Sequence, residues 1–159
     1  MTRIIVVVLA ALLGAAAMFF ALAQKEPPPD MAALEKQFEE SLTGATLVGN
    51  FTMGESAALR EEKYAIEKVS KVKDGLWLFQ ARIQYGKRDV TVPLPLPVQW
   101  AGDTPVITLT DMTIPGLGTY TARVMFYRGQ YAGTWSGKGG GGHLFGRIVK
   151  ESAPAAAPR

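Results

Sequence analysis

LWLFQARIQYGKRDVTVPLPLPVQW, residues 76–100, is the stretch that decides the fold. Trp77, Phe79, Ala81, Ile83 and Tyr85 fall on one side of a two-residue repeat, and Gln80, Arg82 and Gln84 fall on the other. Successive side chains of a strand point to opposite faces, so this alternation reads as a strand with one buried face. Gly86-Lys87 turns the chain. Val90, Val92, Leu94, Leu96, Val98 and Trp100 then alternate without a slip. Two such strands joined by a short turn form a hairpin.

Pro93, Pro95 and Pro97 sit at every second position of the second strand. The N–H groups of alternate strand residues point to the same side, and proline has none. One flank therefore lacks three consecutive donors, while Leu94, Leu96 and Val98 keep theirs and can fill the core. A strand paired on both sides along its whole length cannot be built this way. The sheet is expected to be open, or a barrel split, between about residues 93 and 97. Such a flank resists edge-to-edge aggregation; an outward proline ridge could instead dock on an aromatic partner surface.

The same two-residue period extends both ways. Leu47, Gly49, Phe51 and Met53 alternate before the hairpin, and a charged strand carrying Tyr64 and Ile66 ends at Lys73-Asp74-Gly75, a strong turn signal. After it come the turn Ala101-Gly102-Asp103-Thr104, a β-branched run from Val106 to Met112 and the type II turn pair Pro115-Gly116. Tyr120, Ala122, Val124 and Phe126 share a face. Arg128-Gly129 leads into a strand from Tyr131 to Trp135. The run Ser136 to Gly142 reads as a flexible glycine loop before a last strand, His143 to Val149. The expected fold is mostly β: about eight antiparallel strands in a meander closing as an up-and-down barrel.

Ahead of the strands, Met31, Leu34, Phe38 and Leu42 recur at helical spacing behind Asp30, with Gly44 as a candidate C-cap. This predicts one short amphipathic helix over about 31–42. Glu26-Pro27-Pro28-Pro29 is a stiff spacer within a proline-rich linker, 24–30. Upstream, Arg3 precedes an uncharged apolar run from Ile4 to Leu22 that ends in Ala21-Leu22-Ala23. Residues 1–23 thus read as a signal peptide cleaved before Gln24, or as an N-terminal membrane anchor, since the run approaches the ~20 residues a spanning helix needs. Both readings place the domain outside the cytoplasm: in the periplasm or cell envelope, secreted or anchored. The domain is expected over 31–150 and a disordered tail over 151–159.

The chain has 159 residues, no cysteine and one histidine, with a formal charge of +3. Zero cysteines exclude disulfides, thiolate metal sites and a thiol nucleophile. One histidine cannot make a multi-histidine metal site. Lys and Glu alternate between Glu61 and Lys73, so no basic patch suggests nucleic acid. Membrane contact is expected only through the N-terminal segment, if uncleaved. Ser136-Gly137-Lys138 and its glycines fail as a phosphate loop, because no Ser or Thr follows the lysine and a strand follows the glycines. Asp74 and Asp103 lie in turns, where aspartate is at home. Asp111 is the least explained carboxylate. No cofactor is implied.

The strings VTVPLPLPVQWAGDTPVITLT (90–110), IPGLGTYTARV (114–124) and YAGTW (131–135) resemble a family of small exported bacterial proteins with no assigned activity. More distantly, the layout resembles the lipocalin-like (calycin) barrels, which open with a short helix and a G-x-W strand and carry a late arginine across that tryptophan. Gly49-Asn50-Phe51 stands in the first-strand position and Arg147 in the last strand. Phenylalanine replaces the tryptophan, and the T-D-Y motif is absent. The resemblance implies that Arg147 covers Phe51 at the closed end of the barrel.

Trp77, Phe79, Tyr85, Trp100, Tyr120, Phe126 and Trp135 all fall on inward positions. An eight-stranded barrel is either filled by such side chains or holds one small ligand. The first functional expectation is a non-catalytic envelope domain that binds a small apolar molecule or an envelope protein. The second is a structural module with a filled barrel and a sheet edge as its working surface. An enzyme ranks last; a cleft converging on Asp111, His143 and Arg147 would revive it.

Overall fold

The computed structural model describes residues 29–85 and 88–150, without the side chains of residues 84, 85 and 88. The expected leader, most of the linker and the tail lie outside the described residues. One helix, α1 (Met31–Leu42), precedes β1 (Ala45–Met53), β2 (Ser56–Lys73), β3 (Leu76–Tyr85), β4 (Arg88–Ala101), β5 (Thr104–Ile114), β6 (Gly118–Tyr127), β7 (Gln130–Gly137) and β8 (Gly140–Lys150). Each strand pairs antiparallel with its sequence neighbour, and β8 pairs with β1, so the meander closes into an eight-stranded barrel. No described helix is long and apolar enough to cross a membrane.

The alternation seen in the sequence is the alternation of the wall. Phe79, Ala81 and Ile83 of β3 and Val92, Leu94 and Leu96 of β4 are buried inside, while Arg82, Thr91, Pro93 and Pro95 are exposed outside. Helix α1 begins where expected: the Asp30 carboxylate accepts hydrogen bonds from the N–H groups of Ala32 (3.1 Å) and Ala33 (3.2 Å). Its C-cap is Thr43 rather than Gly44. Gly44, at φ +71, follows it and donates its N–H to the Ile66 carbonyl (2.9 Å), which starts β1. The Thr43 hydroxyl accepts the Val69 N–H at 3.0 Å, pinning the helix end to β2.

The ring closes at every junction, yet the β4–β5 junction is short. Its register runs only from Val98↔Ile107 to Ala101↔Thr104, whereas β3 pairs with β4 from Leu76↔Pro97 to Tyr85↔Arg88. The Val98 N–H donates to the Gly75 carbonyl on the β3 side at 3.0 Å. Alternation then turns positions 93, 95 and 97 toward β5, and pairing stops where the donors stop. The barrel is therefore closed, with a seam along residues 88–97 rather than an open sheet.

The expected glycine loop is corrected. Gly140, Gly141 and Gly142 are the first residues of β8, paired with Gly137, Ser136 and Trp135. A Cβ at Gly142 would collide with the Thr52 carbonyl, and one at Gly141 would lie 2.7 Å from the Trp135 carbonyl. Gly141 and Gly142 thus serve close backbone approach at the β1, β7 and β8 rim, while Gly140, at φ +126, supplies the turn conformation that enters β8.

Candidate binding cavity

The barrel has two different ends. At one, α1 inserts Phe38 among four aromatic rings: Trp77 (centroids 5.2 Å apart), Phe126 (5.8 Å), Trp100 (5.9 Å) and Phe79 (6.1 Å), all edge to face. Edge-to-face pairs add about 0.5–1.5 kcal/mol beyond the area they bury. Leu42 and Val69 complete this plug, both fully buried.

Beyond the plug the inward side chains leave an opening toward the far end. A cavity lined from Phe79 and Phe126 to the far rim opens there, and its lining continues over the rim onto outer-wall residues such as Val48, Met125 and Arg147. Ile66, Ala81, Ile83, Leu94, Leu96, Ile107 and Leu109 line its apolar body. Its mouth is ringed by half-buried Phe51, Tyr120, Trp135 and Leu144. Trp135 packs edge-on against Phe51 (5.9 Å) and donates its indole N–H to the Thr52 carbonyl at 3.2 Å. Tyr120 donates its hydroxyl to the Leu117 carbonyl at 2.8 Å, just after the Pro115-Gly116 turn.

One buried carboxyl group faces this apolar space. Glu62 of β2 is 4% exposed, the single buried charged residue among those described. The Tyr64 hydroxyl donates to its Oε2 at 2.7 Å, and the Tyr131 hydroxyl donates to its Oε1 at 2.9 Å. Burial pushes the Glu62 carboxyl above its ordinary range, and the Tyr64 and Tyr131 hydrogen bonds offset this only in part. Burial, with the facing carboxylate, pushes the Tyr131 phenol well above its own. Two glycines make the contact sterically possible. Gly49 and Gly146 are paired neighbours on β1 and β8. A Cβ at Gly49 would collide with the Tyr131 Oη, and one at Gly146 would lie 2.7 Å from its ring.

The candidates from the sequence divide accordingly. Phe79, Tyr120, Phe126 and Trp135 line the cavity. Trp77 and Trp100 do not. Trp77 is 1% exposed within the plug, and Trp100 packs on Phe38, because α1 occupies that end of the barrel. Tyr85 lies on β3, and its side chain is outside the described residues. The expected Arg147–Phe51 contact is absent. Phe51 pairs with Leu144 and faces inward, whereas Arg147 pairs with Val48 and Gln130 on the exposed outer face. Phe51 also sits at the mouth, opposite the plugged end.

The enzyme constellation does not assemble either. Asp111 lies on β5 and His143 and Arg147 on β8, with β6 and β7 between them, and all three side chains are exposed. Asp111 is accounted for by a bulge: at φ 47 it interrupts the β5–β6 register between Leu109 and Met112. Its N–H donates to the Thr121 hydroxyl and its carboxylate accepts from it, both at 3.0 Å. Among the described residues, no group of three His, Asp or Glu side chains could hold a metal.

Glu62 was missed in the sequence. Its signal was the parity it shares with Tyr64 and Ile66, masked by the charged neighbours Glu61 and Lys63. Set against protein-family models, curated proteins and solved structures, the chain finds no match in any of the three.

Proposed function

We propose that this chain is an exported, non-catalytic carrier domain that takes a small apolar molecule into its barrel. The observation that carries the reading is the apolar-lined cavity that opens between the Phe38 plug and the Trp135 mouth. Ligand pockets are typically concave and mostly apolar, with few convergent polar groups, and Glu62, Tyr64 and Tyr131 are such a group here. The rival, a structural module, requires a filled barrel, in which no probe would saturate. Export rests on Arg3, the run Ile4–Leu22 and Ala21-Leu22-Ala23, with the domain held in the envelope or released according to whether that segment is cut. The mature N-terminus of envelope-fractionated material tests this part: Gln24 marks cleavage, and wholly cytoplasmic material refutes export.

Ligand uptake is tested by titrating an apolar naphthylamine fluorophore into the purified chain. Saturable binding with displacement by dodecanol is expected. Trp135 is the tryptophan that lines the cavity, so Trp135→Phe should abolish the ligand-induced change in tryptophan emission while leaving displacement intact. A linear, non-saturating response would refute the reading.

A further inference from the structure

Glu62 specifies more than an apolar interior. Of the roughly four lone-pair positions a carboxylate offers, the hydroxyls of Tyr64 and Tyr131 occupy one on each oxygen. Among the described residues, no Lys or Arg forms an ion pair with Glu62. Lys63 is the next residue on β2 and so faces the other side of the wall. Arg60 shares the parity of Glu62 but is exposed at the rim, where its guanidinium meets the Met53 sulfur at 3.3 Å.

A buried acid with no ion-pair partner among the described residues is costly to keep, and an apolar side chain would fill the same position without that cost. Here the backbone itself is adapted to hold the acid. Gly49 and Gly146 clear the space through which Tyr131 reaches it. The acid also faces the cavity rather than the plug.

We propose that the ligand is an apolar molecule ending in a protonated primary amine, and that Glu62, oriented by Tyr64 and Tyr131, receives its ammonium group inside the barrel. This inference rests on the reading of the barrel as a carrier. An ammonium group brings three donors and a positive charge. A hydroxyl head brings one donor and no charge. A carboxylate or phosphate head would bring a second negative charge against Glu62 in a low-dielectric space.

The test uses three ligands with one tail. Dodecylamine, dodecanol and dodecanoate compete against the apolar fluorophore on the full chain at pH 7.5. Dodecylamine should displace the probe at a concentration at least ten-fold lower than dodecanoate, with dodecanol between them. Glu62→Gln should abolish the amine's advantage while leaving dodecanol affinity within two-fold. Should that variant fail to fold, Glu62→Asp, which draws the carboxylate back by one methylene, should weaken dodecylamine alone. Dodecanoate binding as tightly as dodecylamine, or an amine preference unchanged in both variants, overturns the assignment of the ligand head and leaves the carrier reading standing. Failure of all three to displace the probe overturns both.

Discussion

Tyr131→Phe isolates one bond in the buried cluster. The substitution removes a single oxygen, leaves the ring in the space between Gly49 and Gly146, and deletes the 2.9 Å hydrogen bond to Glu62. A hydrogen bond to a charged group contributes about 1.5–3 kcal/mol, and one between neutral groups about 0.5–1.5 kcal/mol. The loss should therefore depend on whether Glu62 is ionised. Burial raises the Glu62 carboxyl above its unfolded value of 4.5, so the folded state holds a proton that the unfolded state has released. Stability attributable to this group is full below 4.5 and falls as pH rises through the folded value, with a limiting slope of about 1.4 kcal/mol per pH unit within that window. Urea unfolding of the native chain and of Tyr131→Phe at pH 4 and pH 8 gives the comparison. A cost of about 1 kcal/mol is expected while Glu62 is protonated, rising toward about 1.5–3 kcal/mol as it ionises with rising pH. In a Glu62→Gln background, the pH 8 cost should fall back to about 1 kcal/mol. Equal costs at both pH values, or an undiminished cost without Glu62, would refute the claim that Tyr131 acts on a buried carboxylate.

Other expectations follow from the plug, the outer wall and the seam. Phe38→Ala opens the centre of the aromatic plug and should cost about 3–5 kcal/mol in urea unfolding, whereas Met31→Ala on the exposed first turn of α1 should stay within about 0.5 kcal/mol. Arg147→Ala should likewise change stability by no more than about 0.5 kcal/mol; a larger fall would restore the contact with Phe51 that the register denies. Replacing Pro93, Pro95 and Pro97 with threonine returns three N–H donors to the β5-facing flank of β4. The variant should either gain exchange-protected amides there or self-associate in sedimentation, and a variant unchanged in both assays would remove the donor account of the seam.

The wall of the barrel was legible because its signals are local. Alternation in residues 76–100, the Asp74-Gly75 and Pro115-Gly116 turns and the Asp30 cap each act within a few residues, and the structure keeps all of them. The proline flank was legible for the same reason, since a missing N–H is a property of the residue itself. Long-range register was not. Phe51 meets Leu144, and Val48 meets Arg147, only once β8 pairs with β1 through Gly146 and Gly49; a one-residue offset exchanges inside for outside. The division of the aromatics was hidden too. Trp77 and Trp135 have the same parity, and only the insertion of Phe38 makes one a plug and the other a rim. Glu62 was hidden by composition, because a buried acid among Glu61 and Lys63 looks like any charged strand until Tyr131 is brought to it from 69 residues away.

The central claim is that an apolar ligand occupies the space between plug and mouth. Methyl-resolved NMR of the Ile-, Leu- and Val-labelled chain, titrated with dodecanol, tests it most directly. The account predicts that Ile83, Leu94, Leu96, Ile107 and Leu109, which line the cavity, shift together and saturate at one equivalent, while Leu59 and Val149, exposed on the outer wall, stay fixed. Shifts confined to the outer methyls, or interior methyls that never move, would contradict it.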